Sequence, residues 1–186
     1  MQLQPEFIIF LKMDFSKGFN VQLATLFGIG RAPGGGTWAS LIVLLIALYE
    51  QNAETASFLA FFTLIISPNA YRKLTAIVDS EDPKEYVLDE VIGMGIAISG
   101  VYIFTRIFNE FSFDFIESLS ETSELFILTF IVFRFFDISK IGPVGWVERN
   151  PNEKAYNRVI GDDIMAALLC IIFVIIFLSV NLWIMQ

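Results

Sequence analysis

Histidine is absent from the 186 residues, and cysteine occurs once, as Cys170. With no imidazole, every mechanism that needs a phosphohistidine or a histidine base is excluded. A single cysteine builds neither a disulfide framework nor a zinc cluster, and its place deep in the last apolar run marks it as a packing residue. Positive charge is also scarce: 12 Lys and Arg stand against 20 Asp and Glu, for a net charge of −8. That balance argues against a nucleic-acid partner and leaves no broad basic surface for anionic lipid, so any phosphate binding must be local. Internal repeats and low-complexity tracts are missing. The N-terminus, with Glu6 inside its first apolar stretch and no basic residue before Lys12, lacks the pattern of a cleaved signal.

What the chain does have is apolar surface. Apolar residues make up 55% of it, and the mean hydropathy of +0.65 exceeds what a soluble domain usually carries. Twenty Phe against five Tyr and three Trp suit rings packed in lipid or core. The expected fold is all-α, a membrane-embedded helical bundle with several short or broken helices, formed by residues 1–186 as one domain. Five apolar segments stand out: Trp38 to Tyr49, Ala56 to Ile66, Val91 to Phe108, Leu125 to Phe136, and Ile164 to Ile184. The third and fifth approach spanning length; at ~1.5 Å per residue the fifth is about 31 Å long, against a hydrocarbon core of ~30 Å. The other three suit short, broken or re-entrant helices inside a bundle. Pro68 is expected to stop the second segment, and Gly34, Gly35 and Gly36 make a flexible lead-in to the first. A stretch from Phe7 to Phe15, interrupted by Lys12 and Asp14, suits an amphipathic piece lying on the surface.

If all five segments cross, one side holds eleven of the 12 Lys and Arg, leaving only Arg106 opposite. The positive-inside rule makes that side cytoplasmic. The same alternation brings four polar clusters to one face at segment mouths, where hydration is partial and unpaired charge is costly.

Each cluster has a chemical and a structural reading. Asp162 and Asp163 directly precede the fifth segment, well placed to hold a metal ion against a lipid head group, or equally to cap a helix start. In DPKEYVLDEVIGMG, Asp82 with Pro83 reads as a helix start that puts Glu85 and Asp89 on one face; the stretch is either a cation site or a solvated acidic turn. Glu90 points about 100 degrees from Asp89 on a helix, so both reach one ion only near the edge of that face. In FRFFDISK, Arg134, Asp137 and Lys140 recur every three residues, as a salt-bridge stripe or as a phosphate fork, metal ligand and point charge. In RAPGGGTWAS, Gly36 and Thr37 fall at a helix start whose free amides attract anions, or which Thr37 simply caps; no lysine follows as a nucleotide loop requires. Taken together, five carboxylates, one Arg, one Lys and a Thr at one face form a candidate Mg²⁺ and phosphate site. The reaction class implied is metal-assisted phosphate ester hydrolysis.

These residues resemble the phosphatidylglycerophosphatase A family. The resemblance rests on PGGGTWASL at 33 to 41, DPKEYVLDEVIGMGIA at 82 to 97, FRFFDISKIGP at 133 to 143 and GDDIMAA at 161 to 167, in the family's order. It implies an all-helical membrane enzyme that uses Mg²⁺ to remove the terminal phosphate of phosphatidylglycerophosphate, giving phosphatidylglycerol at the cytoplasmic face of a bacterial inner membrane. On that resemblance Asp89, Glu90, Asp137, Asp162 and Asp163 are the catalytic and metal-ligating residues and Arg134 and Lys140 hold the substrate phosphate; Thr37, from the helix-start reading, assists them. The partners implied are the phospholipid and the membrane; none of protein is indicated. Asn150 to Gly161 departs from the family's glycine-rich approach to the final aspartates and reads as an altered loop. Two rivals are a small transporter or channel with a charged cytoplasmic mouth, and a CDP-alcohol phosphatidyltransferase, whose aspartate pattern is missing.

Overall fold

The structure is a computed structural model and describes residues 18–111 and 122–185. The amphipathic stretch expected from Phe7 to Phe15 lies outside the described residues. Among the described residues the chain forms α1 (Phe19–Ala24), a 3-10 turn (Ile29–Arg31), α2 (Gly35–Glu50), α3 (Glu54–Val78), α4 (Leu88–Phe111), α5 (Thr122–Ser139), α6 (Pro143–Glu148) and α7 (Ala155–Met185), with no strand. The five long helices match the five apolar segments one to one.

Helix α4 is the centre, packed by α2, α3, α5 and α7. Its buried Val91, Met94, Ile98 and Val101 recur at helical spacing and meet Val43 and Ala47 of α2, Phe126 and Phe133 of α5, and Ala166, Cys170 and Val174 of α7. A smaller cluster joins α1 to α3 and to the chain entering α4, with Tyr71 edge-on to both Tyr86 and Tyr156 at centroid distances of 5.4 and 5.3 Å. The Val87 amide donates to Ala24 O at 3.1 Å and pins the start of α4 to α1.

Two helices are long and apolar enough to cross a bilayer by length and composition, over Leu88–Ile107 and Ala155–Asn181. Outward faces are apolar as well: Phe58, Phe61, Phe62 and Ile65 on α3 and Ile172, Phe173, Ile176 and Phe177 on α7 are exposed. These features agree with membrane association.

Three helix boundaries differ from expectation. Pro68 does not stop the second segment; α3 runs through it for 25 residues. Proline removes the amide that would bond Leu64 O, and the Ser67 hydroxyl takes its place, donating to Leu64 O at 3.1 Å while Tyr156 Oη sits 2.6 Å from Ser67 Oγ. Asp82 and Pro83 do not start α4, which begins at Leu88, so Glu85 lies in a turn and shares no helix face with Asp89. Finally, α7 begins at Ala155, so much of the stretch read as an altered loop is helical and Asp162 and Asp163 lie past the first turn, where they cap nothing.

Candidate functional site

Four helices deliver the polar residues to one end of the bundle: the start of α2, the start of α4, the end of α5 and the third turn of α7. Close approach of α4 to α7 depends on Gly93, one turn after Glu90, where a Cβ would lie 3.0 Å from both Asp163 Cβ and Asp163 O. The same Cβ would also meet Phe133 Cζ at 2.9 Å, so the present spacing has no room for a side chain without a local shift.

The pairs share one design. Asp89 Oδ1 accepts the Glu90 amide at 2.9 Å, and Asp162 Oδ1 accepts the Asp163 amide at 3.1 Å. The first acid of each pair thus folds back on the backbone while the second faces the neighbouring helix. As a result one carboxylate oxygen from each of Glu90, Asp137 and Asp163 lies within 4.8 Å of the others. Asp137, Asp162 and Asp163 are only 6%, 7% and 3% exposed, so water screens them poorly.

Two cations grip this cluster. Arg134 Nη1 pairs with Glu90 Oε2 and with Asp137 Oδ2, the latter at 2.8 Å, and Nη2 donates to Thr37 Oγ1 at 3.2 Å. Lys140 Nζ pairs with Asp162 Oδ2 and, at 3.3 Å, with Asp137 Oδ1. The stripe along α5 is therefore both a salt-bridge stripe and an arm of the site, with Asp137 between the two cations. Lys140 closes α5 with a left-handed backbone, φ 49°, rare for a residue with a side chain. Burial works to lower the Lys140 pKa, but the carboxylates of Asp162, Asp137 and Asp163 outweigh it and hold the ammonium above its usual range.

Two cavities flank the Arg134–Glu90 pair. The first, about 290 Å³, is lined by all five expected carboxylates and Lys140. Thr37 and Arg134 line the second, about 750 Å³, and Glu90 is common to both. Thr37 is the third residue of α2, as the expected helix start requires, and no side chain caps that helix.

Some contributors were not singled out from sequence. Ser40 Oγ lies 2.9 Å from Glu90 Oε2; its signal is its position one turn after Thr37, polar in an apolar run. Arg158 also lines the first cavity and reaches Glu81 at 3.3 Å. It precedes Asp162 by one helical turn, a relation hidden when residues 150–161 are read as loop.

Charge within the cluster is unbalanced. At an effective dielectric of ~20, like charges within 4.8 Å repel by about 3 kcal/mol or more per pair. Five carboxylates face two cations, and the deficit, with oxygen-only donors, fits a hard divalent ion.

Fold and cluster define the class: an all-helical protein, apolar on its outside, with a buried acidic group at one end that can bind a metal ion. The chain belongs to the phosphatidylglycerophosphatase A family, whose sequence model matches residues 22–178. Members are phosphoric monoester hydrolases, so the protein is an enzyme of that kind. Neither a curated protein nor a solved structure matches the chain.

Proposed function

We propose that the protein is a Mg²⁺-dependent phosphatase that hydrolyses the terminal monoester of phosphatidylglycerophosphate to phosphatidylglycerol, at the cytoplasmic face of a bacterial inner membrane. The observation that carries this is the meeting of Glu90, Asp137 and Asp163, drawn from three helices, within 4.8 Å of one another. Those three would hold the ion. Bound there, Mg²⁺ would supply charge neutralisation at the phosphate oxygens and a lowered water pKa.

The remaining work falls to the chain. Arg134 and Lys140 present guanidinium and ammonium groups beside the cluster and would hold the phosphoryl oxygens, with Thr37 and Ser40 keeping the Arg134–Glu90 pair oriented. Asp89 lines the cavity yet has no ion pair with any described residue, and one of its oxygens is spent on the Glu90 amide. Its other oxygen is assigned as the base. A water oxygen bonds to phosphorus and its proton passes to Asp89; the bond from phosphorus to the glycerol oxygen breaks, and that oxygen takes a proton from solvent water to become the free hydroxyl of the product, while Asp89 returns its proton to solvent. The low exposure of Asp137 and Asp163 limits competing water.

Orientation is supported by the excess of Lys and Arg on the side of the site. Exposed Trp38, Ile141 and Trp146 surround that end, as expected for side chains at the level of lipid head groups. The test is phosphate release from phosphatidylglycerophosphate in mixed micelles by the purified protein, with phosphatidylglycerol identified as the lipid product. Absence of both would end the assignment.

A further inference from the structure

The second cavity is not explained by hydrolysis of a monoester. It lies across the Arg134–Glu90 pair from the acidic cluster, under the glycine-rich stretch, and its electrostatics are opposite. Eight carboxylates and two cations line the first cavity, whereas Arg31, Lys84 and Arg134 face two carboxylates, Glu85 and Glu90, in the second. Glu90 is already engaged by Arg134 and Ser40. Arg31 and Lys84 form no ion pair with any described residue, so their charge is available. The wall between them is the uncapped start of α2, a helix of 16 residues whose first-turn amides lack a side-chain acceptor.

Geometry keeps the two cavities separate and adjacent. A Cβ on Gly36 would sit 2.0 Å from Glu90 Oε1, so the glycine stretch closes directly onto the carboxylate that both cavities share. Arg134 spans this partition, with Nη1 toward Glu90 and Asp137 and Nη2 toward Thr37. Its Nε is buried without a hydrogen-bond partner. At about 750 Å³ the second cavity has the size of a small-molecule pocket, of order 300–1,000 Å³.

We infer that this cavity is an anion subsite for the inner phosphodiester of a two-phosphate lipid head group, with Arg31 and Lys84 as its specificity-determining residues. The inference rests on the phosphatase assignment for its substrate but not for its chemistry. A head group with a monoester at one end of a three-carbon bridge and a diester at the other would place the monoester in the acidic cavity and the diester under the glycines. A lipid carrying the monoester alone would leave the second cavity unused.

The test uses the full chain in detergent and the paired substitution Arg31→Gln with Lys84→Gln, both on the rim and outside the core; Lys84→Gln alone serves where the pair fails to fold. Binding of short-chain phosphatidylglycerol, which carries only the diester, is compared with binding of inorganic phosphate. Each lost charge-assisted contact is expected to weaken the diester lipid roughly tenfold. Inorganic phosphate binding is expected to stay within about twofold, because Lys140, which lines the first cavity, is intact. In turnover of phosphatidylglycerophosphate the same variant should raise KM and spare kcat. Unchanged diester binding, or equal weakening of both anions, would overturn the subsite. Binding that behaves as expected in a protein releasing no phosphate would instead count against the phosphatase assignment alone.

Discussion

Arg134 and Asp137, three residues apart on α5, are joined through Nη1 and Oδ2 at 2.8 Å, and the same Nη1 pairs with Glu90 on α4. One guanidinium therefore holds together acids from two helices. Arg134→Lys keeps the charge but loses the planar fork and is expected to lower kcat/KM by roughly a hundredfold. Arg134→Ala leaves the poorly hydrated Glu90 without a cationic partner and Asp137 with Lys140 alone, and is expected to cost about 3 kcal/mol of stability. Thermal unfolding in detergent, paired with phosphate release, separates the two effects. A fully active Arg134→Ala protein would remove the residue from the site.

Asp162 and Asp163 are adjacent in sequence yet differently employed. Asp163 belongs to the group that can surround an ion, while Asp162 faces Lys140 and its neighbour's amide. Asp162→Asn is expected to weaken metal binding by the ~10–100-fold typical of an outer-shell partner, and Asp163→Asn by more than that. Mn²⁺ binding followed by electron paramagnetic resonance measures both; the reverse order would show the ligand set to be wrong.

For Asp89, the expectation is a catalytic loss without a binding loss. Asp89→Asn should reduce kcat by about 10²–10⁴-fold, the usual contribution of a positioned base, with metal affinity within about twofold. Comparable turnover in the variant would reassign the proton.

Tyr86 provides a test of the scaffold. Its hydroxyl is buried and makes no hydrogen bond of good geometry, with Ser67 as its nearest polar neighbour. Burial, then the charge on Asp89, pushes its pKa above the usual value of 10.0. A raised folded pKa means the neutral phenol's contribution is complete below about pH 10 and lost as pH rises through the folded value. Tyr86→Phe is thus expected to change stability by less than about 1 kcal/mol at neutral pH and to unfold less readily than the parent in strong alkali. Unfolding temperature measured against pH decides this; greater alkaline sensitivity in the variant would contradict it.

Much of this was legible because the signals were local. Apolar runs gave five helices, and the spacing of Arg134 and Asp137 placed them on one face of α5, because three residues is close to one turn, while Lys140 follows the helix end with a left-handed backbone. Helix boundaries were less legible. Pro68 reads as a stop until Ser67 and Tyr156 are seen to satisfy the carbonyl it orphans, a contact across 89 positions of chain. Similarly, the residues before Asp162 look like loop because polar side chains carry no apolar period, yet tertiary packing of α6 against α7 accompanies their helical form. The division of labour inside each acidic pair was invisible, because it depends on which carboxylate turns back to the next amide. Likewise, nothing local shows that Thr37 lines a different cavity from Asp89, Asp137, Asp162 and Asp163, with Glu90 shared between the two.

The central claim is that the acidic cluster works by holding a divalent ion. Phosphate release from phosphatidylglycerophosphate should vanish after EDTA treatment and return in full as free Mg²⁺ is raised, while Asp163→Asn should stay inactive or need far more Mg²⁺. Undiminished release in excess EDTA would contradict it.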